Sequence, residues 1–154
     1  VNKISNPQLM VERLESLKAG IIGGFSLGLA FTLTSLVNNL VLVKYFSILE
    51  NWKIEPLNLN FLLSAAIACF SGLLFGVTYR YIIRQDKNPQ LKVGGVLAFG
   101  LVRGLTQIEV GWNATTTALP YLVLAGESVL WFAIAAIAVD IAMQLGWVKP
   151  FLST

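Results

Sequence analysis

Histidine is missing from this chain altogether, and cysteine is represented by one residue, Cys69. Without histidine, the usual ligand of zinc and haem iron is excluded, and so is the side chain that titrates near neutral pH. A lone cysteine forms neither an intrachain disulfide nor a thiolate metal cluster; set between Ala68 and Phe70, it reads as a small buried residue. Charge is scarce as well. Only 12% of the 154 residues are Asp, Glu, Lys or Arg, against 56% hydrophobic, which excludes an ordinary soluble domain. No dinucleotide fingerprint, phosphate loop, zincin helix or nucleophile elbow occurs, and the Gly94-Gly95 pair follows no strand pattern. The expectation is therefore a non-enzymatic protein with no metal site, no catalytic group and no nucleic-acid partner.

What the chain has instead is long apolar runs. Ala19–Val43 is 25 residues without a charge, enough for one helix to cross a bilayer. Three more runs follow at 60–83, 93–108 and 119–145, the third short and interrupted by Arg103. The fold class expected is all-α: an integral membrane four-helix bundle over residues 19–148. Ahead of it, Asn6 and Pro7 read as a helix N-cap and first helical position. Pro7–Lys18 sets Leu9, Met10, Arg13, Leu14 and Leu17 at helical spacing, with Glu12 and Glu15 off that stripe. Residues 1–18 are thus expected to form a short amphipathic helix lying at the membrane surface and running into the first span. That segment is polar and mixed in charge, unlike a cleavable signal peptide, so the first span is expected to be its own insertion signal. Lys44–Leu59 carries Tyr45, Phe46, Trp52 and Pro56, a composition suited to the headgroup level. Arg84–Lys92 contains a Gln-Asp-Lys-Asn-Pro turn signal, and Gly111–Ala118 is a loop without a cation.

Cations set the expected orientation. Lys3, Arg13, Lys18, Arg80, Arg84, Lys87, Lys92 and Lys149 fall on one side of the membrane, and only Lys44 and Lys53 on the other. The positive-inside rule then puts both termini on the cytoplasmic side, as an even number of spans requires.

The chain also aligns with itself at an offset of 74, with six identities in the sixteen positions from Leu17 to Thr32. Spans two and four align more weakly, at an offset of 67. This suggests two tandem helical hairpins in the same orientation, related by a pseudo-two-fold axis along the membrane normal.

Glycines mark the packing faces. Gly20, Gly24 and Gly28 form a row at four-residue spacing, matched by Ala68, Gly72 and Gly76 on the second span. Such rows let two helices approach closely in lipid, or present a face to a subunit, a carotenoid or a lipid tail. On the third span Gly100, Arg103, Gly104 and Gln107 share a face.

Arg103 lies seven residues before Val110, and Glu127 seven after Pro120, so the two reach similar depth in the second hairpin. An ion pair between them is expected, either a structural clasp or an anion, headgroup or proton site. The same counting puts Asp140 level with Lys92.

The stretch Tyr79–Leu105, reading YRYIIRQDKNPQLKVGGVLAFGLVRGL, resembles a signature of small integral membrane proteins of cyanobacteria and chloroplasts to which no chemistry is assigned. The resemblance implies a thylakoid setting with the cationic side toward cytosol or stroma. Bound lipid, carotenoid or chlorophyll is compatible with that setting. A chlorophyll would need Asn, Gln, Glu, a backbone carbonyl or water as its ligand, since there is no histidine.

The leading expectation is a small accessory subunit or assembly partner of a larger membrane complex. It would dock through its glycine faces and a basic inner loop of Arg80, Arg84, Lys87 and Lys92. The alternative is a small oligomeric transporter or channel using Arg103 and Glu127 for anion or proton passage. A membrane enzyme acting on lipid is disfavoured, because no acid/base cluster sits at either interface.

Overall fold

The computed structural model describes residues 6–45, 58–83, 88–111 and 117–151. The protein is an integral-membrane, all-α four-helix bundle with four helices long and apolar enough to span. Helix α1 is Asn6–Val37 and continues through a π-helical stretch, Asn38–Leu42, into Val43–Tyr45. Helix α2 is Leu59–Ile83, α3 is Pro89–Gly111 and α4 is Leu119–Gln144. Helix α3 starts where Asn88 and Pro89 give it an N-cap and a first residue, the Gln90 N–H donating to Asn88 Oδ1 at 3.0 Å.

Within each hairpin the helices meet backbone to backbone. A Cβ at Gly23 would stand 2.5 Å from the Gly72 carbonyl oxygen, and one at Gly72 would stand 2.5 Å from that of Gly23. Gly20 and Gly24 flank this point against Gly76 and Gly72, Ala68 is buried behind them, and Gly28 meets Cys69. Cys69 itself is exposed, not buried as its neighbours suggested, although its Sγ lies against Gly28 of α1. In the second hairpin, Cβ atoms at Gly100 and Gly104 would come within 2.7 and 2.9 Å of the Cα atoms of Val129 and Ala125. Helix association in lipid relies on such close approach.

The two hairpins are alike in outline but do not use equivalent faces. At the offset of 74, Gly23 corresponds to Leu97, which is exposed, and Gly100 and Gly104 correspond to Ser26 and Ala30. The hairpins join chiefly along α1 and α4, where Phe31 stands edge-on to Trp131 with ring centroids 5.5 Å apart. In the bundle centre Phe75 of α2 contacts Tyr79 and, from the other hairpin, Phe99 and Phe132, at 5.1, 5.4 and 5.2 Å. Such ring pairs add about 0.5–1.5 kcal/mol each beyond area burial.

The first helix turns Glu15 and Ser16 rather than its apolar stripe toward the bundle. No break separates an interfacial segment from the span, and the apolar stripe faces outward, with Met10 69% and Leu14 57% exposed. Glu15 and Ser16 face inward and are buried. The polar side is drawn in because its partners lie there, on α2 and on the C-terminal tail.

Candidate functional site

Two ionic clusters lock the bundle at the end that carries both termini. The first is centred on Arg80, whose side chain is fully buried. Its Nη2 meets Glu12 Oε2 at 2.6 Å, Nη1 donates to Ser16 Oγ at 2.7 Å and to the Glu12 carbonyl at 3.2 Å, and Nε donates to the Lys149 carbonyl at 2.8 Å. The Lys149 N–H in turn donates to Glu15 Oε2 at 2.8 Å, while Lys18 pairs with Glu15 Oε1 at 2.8 Å. The rings of Tyr81 and Phe151, 4.9 Å apart, cover the guanidinium. Gly146 makes this closure feasible. At φ +75° it ends α4 in the left-handed region, and the chain turns back so that Val148 is buried and Lys149 meets α1.

The second cluster joins the hairpins. Lys92 Nζ meets Asp140 Oδ2 at 2.7 Å, and the Tyr79 hydroxyl donates to Asp140 Oδ1 at 3.4 Å. Lys92 and Asp140 were level by counting, and here they also share a face.

These clusters revise the basic inner loop. Arg80 is sealed inside the protein and Lys92 is engaged by Asp140, so neither is a free docking cation. Arg84 and Lys87 lie outside the described residues.

The expected Arg103–Glu127 ion pair does not form. Each residue lies eight positions from the end of its helix, about 12 Å at 1.5 Å per residue, so their levels agree. Their azimuths do not. Ala125, Ser128 and Val129 are the α4 residues that face α3, whereas Glu127 turns toward α1. There its Oε2 accepts from Asn38 Nδ2 at 2.9 Å, at the first residue of the π-helical stretch, a feature often found at functional positions.

Arg103 points elsewhere. Its Cζ lies 5.3 Å from the centroid of the Trp131 ring, and its Nε is buried without a hydrogen-bond partner. The indole Nε1 of Trp131 is likewise buried without one. Among the described residues these two atoms are the buried side-chain polar groups left unsatisfied, and they belong to neighbouring side chains. An unmet buried donor costs about 1–3 kcal/mol.

Arg103 lines a cleft of about 540 Å³ between the hairpins. Helices α2 and α3 touch at Phe75–Phe99 and separate toward the end opposite the termini. The walls are Leu74, Phe99, Val102 and Phe132, and the exposed Leu74 and Val102 place the mouth on the lipid-facing side. Ser71 and Thr106 also line it, but their hydroxyls donate at 2.8 Å to the carbonyls of Ile67 and Val102 in their own helices. Gln107 accepts from Ser128 Oγ at 3.0 Å through Oε1, which leaves its amide nitrogen as a donor. Among the described residues no carboxylate lines the cleft.

No protein-family model, curated protein or solved structure matches the chain. The class that fold and site define is accordingly a small membrane-embedded helical bundle with an internal polar and ionic network.

Of these features, Arg80 and the tail were missed by sequence reasoning, which assigned Arg80 to a loop from charge alone. Its position within the apolar run Asn60–Ile83, four residues after Gly76 of the packing row, was the available signal.

Proposed function

We propose that the protein is a small, non-enzymatic membrane transport protein that passes an anion, with Arg103 as the binding group. The observation that carries this reading is the guanidinium itself: it lies within the span, beside a cleft, with Nε unpaired and, among the described residues, no carboxylate in the cleft wall. A charge at such depth costs about 2.5–3.5 kcal/mol on insertion scales. The ring of Trp131 offsets about 0.5–2 kcal/mol of that through cation–π attraction. A side chain kept at such cost without a counter-ion among the described residues is suited to an anion from outside the chain.

The seams give the reading a mechanism. Close backbone contact makes each hairpin a stiff unit, whereas α2 and α3 diverge at the cleft. Rocking of one hairpin against the other, held at the terminal end by the Tyr79–Asp140 and Arg80–Lys149 contacts, would expose Arg103 alternately. Arg103 and Glu127 act separately in this scheme, the arginine on the anion and the carboxylate, beside the π-helical stretch, on a coupled proton. The test is flux in liposomes holding the purified full chain, with chloride, nitrate, acetate and octanoate as the anions offered. Arg103→Gln is expected to reduce the transported anion's flux to that of empty vesicles. Equal flux in the two proteins, or none for any anion, refutes the reading.

A second reading, a small accessory subunit or assembly partner of a larger membrane complex, is favoured by the apolar stripe of Leu9, Met10, Leu14 and Leu17. The resemblance of Tyr79–Leu105 would set that complex in the thylakoid, with the cationic end toward cytosol or stroma. Gentle detergent extraction separates the readings. Co-migration with a large complex supports the subunit role, and a homo-oligomer alone supports transport.

A further inference from the structure

The geometry points to a ligand class for the Arg103 cleft: a single-chain amphiphile with a carboxylate head, such as a long-chain fatty acid, entering sideways from the lipid. This rests on the reading above that Arg103 is the anion-binding group, and it narrows the anion. Three observations bear on the choice. The first is composition: one guanidinium and one free amide donor, on Gln107, are set among apolar walls, with both hydroxyls committed to their own helices. A small hydrated anion would lose its water and gain two donor groups in return. An amphiphile meets the same donors and also covers Leu74, Phe99, Val102 and Phe132. The cleft's volume falls within the range of about 300–1,000 Å³ usual for small-molecule sites.

The second observation is the fork. Trp131 covers one side of the guanidinium, and the planar group that remains matches a carboxylate, which accepts two parallel N–H bonds. The third is depth. Arg103 lies about 12 Å along the helix from Gly111, inside a hydrocarbon core about 30 Å thick. A phospholipid headgroup at the interface would have to leave its level and its water to reach it. A carboxylic acid travels to that depth protonated and uncharged, then ionises beside the arginine as its proton passes to water at the membrane surface. A phosphodiester stays ionised at any ordinary pH and has no such route.

The experiment is binding to the full chain in lipid nanodiscs, using palmitate labelled with ¹³C at the carboxyl carbon. The expected result is a distinct ionised carboxylate resonance that saturates near one per chain. Apparent Kd should rise at least tenfold in Arg103→Gln and less in Arg103→Lys. Ala98→Trp adds bulk to the cleft wall while keeping the arginine and is expected to cause a comparable loss, which keeps the test valid where the arginine variants unfold. Hexadecanol and acetate, carrying only the chain or only the head, should each fail to displace the signal at equal concentration. Palmitate binding that is indifferent to both Arg103→Gln and Ala98→Trp overturns the proposal. So does displacement by chloride or inorganic phosphate as effective as by palmitate, and in that case an Arg103-dependent chloride flux would leave the transport reading intact. Saturable, Arg103-dependent palmitate binding without flux of any anion would do the opposite, upholding the site and refuting transport.

Discussion

Replacing Arg80 by methionine keeps most of the side-chain volume and removes the guanidinium, so it isolates what the charge contributes to the terminal end of the bundle. Four hydrogen bonds disappear, to Glu12 Oε2, the Glu12 carbonyl, Ser16 Oγ and the Lys149 carbonyl. Breaking a fully sealed ion pair by deleting one partner costs about 3–5 kcal/mol. Here the arginine is sealed but the Glu12 side chain is 28% exposed and regains water, so about 2–3 kcal/mol is expected after that discount. At roughly 2–4 °C per kcal/mol for a chain of this size, Tm should fall by about 4–12 °C. Thermal unfolding in detergent, followed by circular dichroism, measures this. A second readout tests the mechanism. The Lys149 amide is held by Glu15 in the same cluster, so its hydrogen exchange should quicken in Arg80→Met while amides near Gly23 and Gly72 stay protected. Glu12→Gln should cost less, and the double variant should be no worse than Arg80→Met alone. An unchanged Tm together with unchanged exchange at Lys149 would refute the view that Arg80 ties the tail to α1 and α2.

Three further outcomes follow from the same geometry. Gly23→Ala forces the α1–α2 seam apart against the Gly72 carbonyl and should destabilise by about 1–3 kcal/mol, whereas Gly126→Ala meets open space and should leave chemical-denaturation midpoints unchanged or slightly raised. Gly146→Ala places an L side chain at φ +75° at a cost of about 1–2 kcal/mol, visible as faster proteolysis of the tail beyond Leu145. Arg103→Gln and Glu127→Gln should be additive in unfolding free energy to within about 0.5 kcal/mol, because the two side chains have separate partners. Coupling above about 1 kcal/mol in that double-mutant cycle would restore the ion pair rejected here.

Hydropathy and residue counting made a large part of this molecule legible. Four uncharged or nearly uncharged runs must each become a helix in lipid, since only hydrogen bonds within the segment satisfy their backbone. Counting also placed Asp140 level with Lys92, and Arg103 level with Glu127, because rise per residue is a property of the helix alone. Which face each residue takes is another matter. Neighbouring positions on a helix differ by about 100° in direction, so Glu127 and Ser128 point to different partners although they share a depth. Only the position of α1 beside α4 gives Glu127 to Asn38, and only the divergence of α2 from α3 leaves Arg103 at a cleft. The inward turn of Glu12, Glu15 and Ser16 was hidden for the same reason. An outward apolar stripe looks like a buried one until Arg80 and the returning tail supply the partners that draw the acids in. Length and polarity along one helix decide how deep a residue lies; the company it keeps is decided by helices far away in sequence, whose rotation about their own axes is set by close packing.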